Sequence, residues 1–339
     1  MKKGKTTSFD IAHLAGVSQS TVSRALRDSP LVQKETRDRI KQIAKEINYK
    51  VDKNATNLRT QRSGTIALLL FEDSDTDTSQ INPFFIAMLS SITRASAKQG
   101  LDLLVSFQKL DDDWHAEYED SHKADGLILL GYGDYLSYEA KLQQLANAGA
   151  NFVLWGPQLD SELGSSISCD NRSGARMAVD HLLERGRRDI AFIGDTSDDC
   201  PEFYERLLGY QDALEAHKIA PKEALHISTT NTDDAGILAV EQLEASGQFY
   251  DAIFCSSDLI AIGAIKALQK IGKRIPEDIS VVGFDNIPAA SLVNPALTTI
   301  NQNAEQAGAL LVEQLLKRVA EEKPESLIIP AQLIVRESS

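Results

Sequence analysis

A glutamine and an arginine on the outer face of one short helix can read base edges. The amide pairs bidentately with adenine, and the guanidinium pairs with guanine or grips a phosphate. The segment GVSQSTVSRALR at 16–27 places such groups together. Gly16 allows a tight turn and Ser18 is a natural helix cap. Val22, Ala25 and Leu26 recur at helical spacing on one face. That leaves Gln19, Ser20, Ser23, Arg24 and Arg27 facing outward, with Thr21 and Ser23 suited to phosphate oxygens. Ordinary helical hairpins also use Gly-x-Ser turns, so the surrounding charge has to weigh in.

Residues 1–62 hold 14 Lys or Arg against 6 Asp or Glu, a local net charge of +8 in a chain whose total is −14. A basic module on an acidic body implies a polyanionic partner for the basic part. Around the candidate reading helix, Ser8 is placed to cap a helix burying Ile11, Ala12, Leu14 and Ala15. Asp28-Ser29-Pro30 breaks the second helix, and Ile40, Ile43, Ala44 and Ile47 mark the buried stripe of a third. Two short helices joined by a Gly turn, with the second one capped and polar outside, form a helix-turn-helix. Residues 51–63 are polar and are expected to be a linker with weak helical character.

From Thr65 the pattern alternates. TIALLLF at 65–71 is a buried strand, a helix follows over about 84–99, and strands are expected at 101–107, 124–131 and 151–155. The rhythm continues with helix 173–186, strand 189–194, helix 203–217, a strand near 224–228, helix 233–246, strand 251–256, helix 258–270 and strand 279–284. A helix over 303–320 and an apolar stretch at 327–335 end the body. The fold class expected is α/β: an all-helical headpiece followed by two lobes with parallel sheets and a cleft between them. The body carries no GxGxxG after a strand, no G-x-S-x-G elbow, no P-loop and no metal-spaced histidines, which argues against an enzyme and leaves no cofactor to expect. Cys169, Cys200 and Cys255 are dispersed, no apolar segment follows the N-terminal lysines, and no apolar run approaches membrane-spanning length. A cytoplasmic protein without a membrane partner is expected.

The segment DIAHLAGVSQSTVSRALRDSPLVQKETRDRIKQIAKEINYK at 10–50 closely resembles the N-terminal domain of the lactose/galactose repressor family of bacterial transcription regulators. The likeness continues through NPFF at 82–85, CDNRSG at 169–174, ERLLGY at 205–210, SSDLIAIG at 256–263, VVGFDN at 281–286 and PALTTI at 295–300. It implies a DNA-binding domain at 1–50, a hinge at 51–63, and an effector-binding and dimerisation body at 64–339 like the periplasmic sugar-binding proteins. Lobe one would combine about 64–166 with 297–325, and lobe two about 167–294 with 326–339. Ser18, Gln19, Ser20, Thr21, Ser23 and Arg24 would meet DNA. Asn54, Ala55 and Leu58 would do so from a hinge helix over 52–59, with Leu58 wedged into the minor groove. Family members often carry a proline after the Tyr-x pair. Here Tyr49-Lys50-Val51 lacks it, so the hinge is expected to order less readily away from DNA.

In the body the resemblance implies that Phe85 stacks on an effector and that Arg206 clamps it. Asp258 is expected to cap helix 258–270 with one oxygen left for effector hydroxyls, and Asp170 and Asp285 to line the pocket. Asn286 departs from the commoner second aspartate. Trp155 is a further stacking candidate that would help define the effector, and Asp134 with Tyr132, Tyr135 and Tyr138, on a cleft-side loop, would contribute to that choice. The implied function is a repressor of carbohydrate-use genes. It would act as a homodimer on a palindromic operator, controlled by a mono- or disaccharide. A purine or other metabolite as effector, or a non-catalytic sugar-binding protein, are the alternatives. No leucine heptads end the chain, which favours a dimer over a tetramer.

Overall fold

Thr7, not Ser8, starts the first helix. Its backbone N–H and its hydroxyl both donate to Asp10 Oδ2, at 2.7 and 2.8 Å. The computed structural model describes residues 6–49, 62–71, 81–108, 112–131, 135–158, 163–195, 197 and 200–339, in two compact units divided between Arg62 and Ser63. The hinge residues Asn54, Ala55 and Leu58, and the loop residues Tyr132 and Asp134, lie outside the described residues.

The first unit holds α1 (Ser8–Ala15), α2 (Gln19–Leu26) and α3 (Lys34–Glu46). Ile11, Ala12, Ala15, Val22, Ala25, Val32, Ile40 and Ala44 form its core. Leu14 was expected inside but is 58% exposed. At 3.6 residues per turn it lies roughly 110° round from the Ile11–Ala12–Ala15 stripe, beyond reach of the other helices. Gly16 closes α1 at φ 62°, a left-handed conformation that favours glycine, and the chain turns there into α2.

The second unit is built on two six-stranded sheets. The first has the order β11-β5-β4-β3-β1-β2, from β1 (Thr65–Phe71), β2 (Asp102–Gln108), β3 (Leu127–Leu130), β4 (Phe152–Trp155), β5 (Ser165–Cys169) and β11 (Leu327–Ile329), all parallel. The second has the order β12-β10-β9-β8-β6-β7, from β6 (Ile190–Ile193), β7 (His226–Ile227), β8 (Ala252–Cys255), β9 (Ser280–Asp285), β10 (Thr298–Asn301) and β12 (Gln332–Ile334). Only β12 runs antiparallel there, against β10. Helices α4 (Pro83–Lys98), α5 (Tyr135–Asn147) and α10 (Ala304–Val319) belong with the first sheet, with Tyr135 and Tyr138 in the opening turns of α5. Helices α6 (Asn171–Glu184), α7 (Pro201–Ala216), α8 (Asp233–Ser246) and α9 (Asp258–Lys270) belong with the second. Among the described residues no helix is long and apolar enough to cross a membrane.

Three details of the expected division differ. Residues 165–169 form a strand of the first sheet although SSISC offers no apolar run; its serines are buried between β4 and β11. Residues 298–301 lie in the second sheet rather than in lobe one. The stretch 327–335 is two strands, one in each sheet, because Pro330 and Ala331 carry the chain across.

Candidate functional site

In the first unit Ser18 caps α2, its Oγ accepting the Thr21 N–H at 3.2 Å. Ser18, Gln19, Ser20 and Arg24 are exposed, while Thr21 and Ser23 are half-buried. Gln19 Nε2 donates to Ser8 Oγ at 2.9 Å, which ties the start of α2 to the start of α1. Arg27 Nη2 donates to Ser23 Oγ at 2.5 Å, so Arg27 folds back along the helix. The result is a capped helix whose polar side chains are held by each other and remain open to solvent. A nucleic-acid groove would meet donors and acceptors in this order.

In the second unit the chain passes between the sheets three times: after Cys169, after Asn301 and between Ile329 and Gln332. The register pairs Ile329 with Cys169, and Gln332 with Asn301. All three passages therefore leave from the C-terminal ends of parallel strands, where open α/β sheets bind ligands. Asp170 and Asp258 lie just past such ends, Asp285 is the last residue of β9, and Arg206 lies in the second turn of the helix after β6.

Arg206, on α7, is fully buried. Its Nε donates to Asn171 Oδ1 at 2.9 Å, its Nη1 donates to the Ser256 carbonyl, and Asp285 Oδ1 lies 3.6 Å from Nη1. The guanidinium sits 3.9 Å from the centre of the Phe284 ring and 4.9 Å from that of Phe203. Rings and a carboxylate together offset the cost of burying the charge. Two buried polar atoms here have no partner among the described residues: Arg206 Nη2 and Ser256 Oγ. Such orphans cost about 1–3 kcal/mol each, which a bound hydroxyl would recover.

Asp258 differs from expectation. Ser257 is the cap of α9, its Oγ accepting the Ile260 N–H, and Asp258 is the first helical residue. Both carboxylate oxygens are engaged: Oδ2 accepts the Ile287 N–H at 2.8 Å, and Oδ1 accepts the Thr299 hydroxyl at 2.5 Å. The group is wholly buried and lies over Gly283, where a Cβ would overlap Oδ1. Each oxygen thus carries one internal hydrogen bond, so an effector hydroxyl would have to share an oxygen already engaged. What Asp258 holds is the loop after β9, where Asp285 (φ 118°) and Asn286 (φ 56°) adopt left-handed conformations. Arg336 holds the same loop, Nη2 donating to Asn286 Oδ1 at 2.6 Å and Nη1 to the Leu297 carbonyl at 2.7 Å. Gln302 Nε2 donates to Asp285 Oδ1 at 2.5 Å.

Burial pushes the Asp285 carboxyl up to about 6, with Arg206 pulling the other way. Burial also raises Asp258 well above the usual carboxylate range, and the Asp285 charge adds to the effect. The Cys169 thiol, at the end of β5, is pushed up to about 12 by burial, which makes it inert as a nucleophile.

On the other sheet, Asn82 caps α4 through Phe84 N–H at 2.9 Å, and Pro83 takes the first helical position. Phe85 is 6% exposed and Trp155 2% exposed, so neither is an open platform here. Phe84 joins them, its ring centre 5.7 Å from that of Phe85 and 5.6 Å from that of Trp155. Asp170 caps α6 through Ser173 N–H at 3.1 Å.

The sequence reading missed Asn171, Glu202, Ser256, Gln302 and Arg336. Asn171 adjoins Asp170, and Glu202 stands one helical turn before Arg206, so their spacing was a usable signal. Gln302 and Arg336 had none, since only the fold brings them to the β9 loop.

Residues 9–52 match the family described as "Bacterial regulatory proteins, lacI family", and residues 179–339 match "Periplasmic binding protein-like domain". The chain is 32% identical to the HTH-type transcriptional regulator CelR of Thermobifida fusca, covering 97% of this chain and 96% of that one. It is also 32% identical to the ribose operon repressor of Halalkalibacterium halodurans, covering 98% and 97%. The structure of a CelR–cellobiose complex superposes with a TM-score of 0.72 at 30% identity, covering 98% of this chain and all of that one. A lac repressor dimer bound to operator and the anti-inducer ONPF has the same fold, with a TM-score of 0.81 at 24% identity and 98% of each chain covered. With a helix-turn-helix that presents Gln19, Ser20 and Arg24, and a two-lobed periplasmic-binding-like body, this chain belongs to the lacI family of bacterial DNA-binding transcription regulators.

Proposed function

We propose that this protein represses carbohydrate-use genes as a cytoplasmic homodimer. A mono- or disaccharide bound at the Arg206 cluster would set its hold on a palindromic operator. It acts by binding and turns nothing over. The single observation carrying the effector half is the pair of buried polar atoms without partners, Arg206 Nη2 and Ser256 Oγ. Ser256 follows the C-terminal end of β8 and Arg206 donates to its carbonyl, and hydroxyl groups complement both orphaned atoms. Relatives support a sugar over a purine. The CelR structure is a cellobiose complex at 30% identity and two ribose operon repressors are 32% and 30% identical, whereas relatives named PurR are 27–29% identical.

In this reading residues 1–50 read DNA, 51–63 form the hinge and 64–339 sense the effector. Ser18, Gln19, Ser20, Thr21, Ser23 and Arg24 contact the operator, joined by Asn54, Ala55 and Leu58. Phe85, Trp155, Asp170, Arg206 and Asp285 surround the effector, with Asp258 acting through the β9 loop. Effector affinity must differ between DNA-competent and DNA-incompetent forms, since only a differential affinity can shift the balance. The test is calorimetry of the full-length protein against mono- and disaccharides and against purine bases, followed by gel shifts on the DNA upstream of its own gene. Binding of a sugar that alters the shift is expected. Binding of a purine alone, or no shift at low salt, would overturn the proposal.

A further inference from the structure

Each helix that starts at the Arg206 cluster already carries a carboxylate in or before its first turn. Asp170 caps α6, Glu202 lies in the first turn of α7, and Asp258 is the first residue of α9. A helix N-terminus is a ready-made anion site, through its unpaired N–H groups and its positive dipole end. Here two of these ends are occupied by their own carboxylates, and at the third Ser257 takes the Ile260 N–H while Asp258 adds its charge beside it. Ser173 N–H is spent on Asp170, and Glu202 accepts from its own backbone N–H. The arginine at the cluster is matched as well, by Asp285 at 3.6 Å, so it offers a hydrogen-bond donor without a net positive field. Arg336, a further cation acting on Asp258, is committed to Asn286 and the Leu297 carbonyl.

Building on the effector reading above, we infer that this site selects an uncharged sugar and rejects sugar acids and sugar phosphates, with Glu202 as the residue that enforces the choice. Glu202 precedes Arg206 by four residues, so both project from one face of α7. Glu202 Oε1 lies 3.4 Å from the point a Cβ on Gly156 would take, and Gly156 directly follows β4 of the opposite sheet. The carboxylate therefore spans from the lobe of Arg206 to the lobe of Trp155. A ligand held by Arg206 Nη2 has this carboxylate as its neighbour. A hydroxyl can accept from the guanidinium and donate to the carboxylate, whereas an anion meets like charge. Glu202 keeps partial access to solvent, and its own backbone N–H and the Arg206 charge both favour its ionised form against the upward pull of burial.

The test is calorimetry on the full-length protein with matched panels. Glucose, galactose, ribose and cellobiose are compared with glucuronate, galacturonate, ribose 5-phosphate and glucose 6-phosphate. The neutral sugar that binds should have acid and phosphate counterparts at least about thirtyfold weaker, the effect of a like charge roughly 8 Å away at an effective dielectric near 20. Glu202→Gln keeps the shape and a hydrogen-bonding group, and should shrink that ratio by about thirtyfold while changing neutral-sugar affinity by only a few-fold. A wild-type protein that binds the acid or phosphate as tightly as the neutral sugar overturns the inference and leaves the sugar reading standing. An unchanged ratio in Glu202→Gln overturns the role of Glu202. Silence across both panels, with a purine base bound, removes the sugar reading and this inference together.

Discussion

Ionising Asp285 places a negative charge beside Asp258 in a space closed to water, with Arg206 near enough to answer it only in part. Its carboxyl is raised from the usual value near 3.8 to about 6. The stability of the protonated form is thus fully present below the unfolded value and is lost as pH rises through about 6. Asp285→Asn should consequently gain on the wild type between pH 4 and 7.5. The gain should reach roughly 3 kcal/mol, since each tenfold change in proton affinity is worth about 1.4 kcal/mol. Urea melts at a series of pH values measure this; parallel curves would refute it. Effector binding runs the other way. A hydroxyl donating to the carboxylate favours the ionised form, so affinity should fall as pH drops through about 6, and calorimetry in buffers of different ionisation heat should record proton release. Asp258→Ala strips one hydrogen bond from the β9 loop and one from β10, and should cost about 2–4 kcal/mol and weaken effector binding, without altering specific DNA contacts. At this scale the sequence was legible for Arg206 and Asp285, whose side chains do meet. For Asp258 it missed the cap, which is Ser257, because two adjacent polar residues at a helix start look alike in sequence; the carboxylate itself holds the Ile287 N–H and Thr299.

Among the elements, α8 and α9 approach more closely than side chains allow. A Cβ on Gly236 would overlap the Ile260 carbonyl, and one on Gly263 would overlap the Asp233 carbonyl. Backbone cannot move aside as a flexible side chain does, so Gly263→Ala should cost about 3 kcal/mol or more. Scanning calorimetry should detect it as a fall in the body's transition. A cost below about 1 kcal/mol would mean that the helices slide apart freely. Both helices were legible over 233–246 and 258–270 from their apolar faces, although the caps are Thr232 and, in place of the expected Asp258, Ser257. By contrast β5 was illegible: SSISC has no strand periodicity, and its place is fixed by β4 and β11 on either side. In α2, Ser18→Ala removes the cap and should cost about 1 kcal/mol, a large share of what so small a core supplies.

For the whole molecule, β2 ends the first sheet, with Leu104, Val105 and Phe107 each more than a third exposed. An apolar edge of this kind needs cover, and the proposed second copy would supply it. Val105→Lys should shift the protein toward monomer in analytical ultracentrifugation and weaken operator binding, since one headpiece reads only half a palindrome. An unaltered dimer would place the interface elsewhere. The threefold passage between sheets has another consequence, in the order of synthesis. Neither sheet is complete until residues 327–334 have been made, because β11 closes one and β12 the other. The three-helix unit, by contrast, is finished within the first fifty residues or so. At about 5–20 residues per second, a nascent chain would hold a folded headpiece on an unfinished body for tens of seconds. Completion of β11 and β12, not folding of the headpiece, would then mark the moment at which the regulator becomes able to sense.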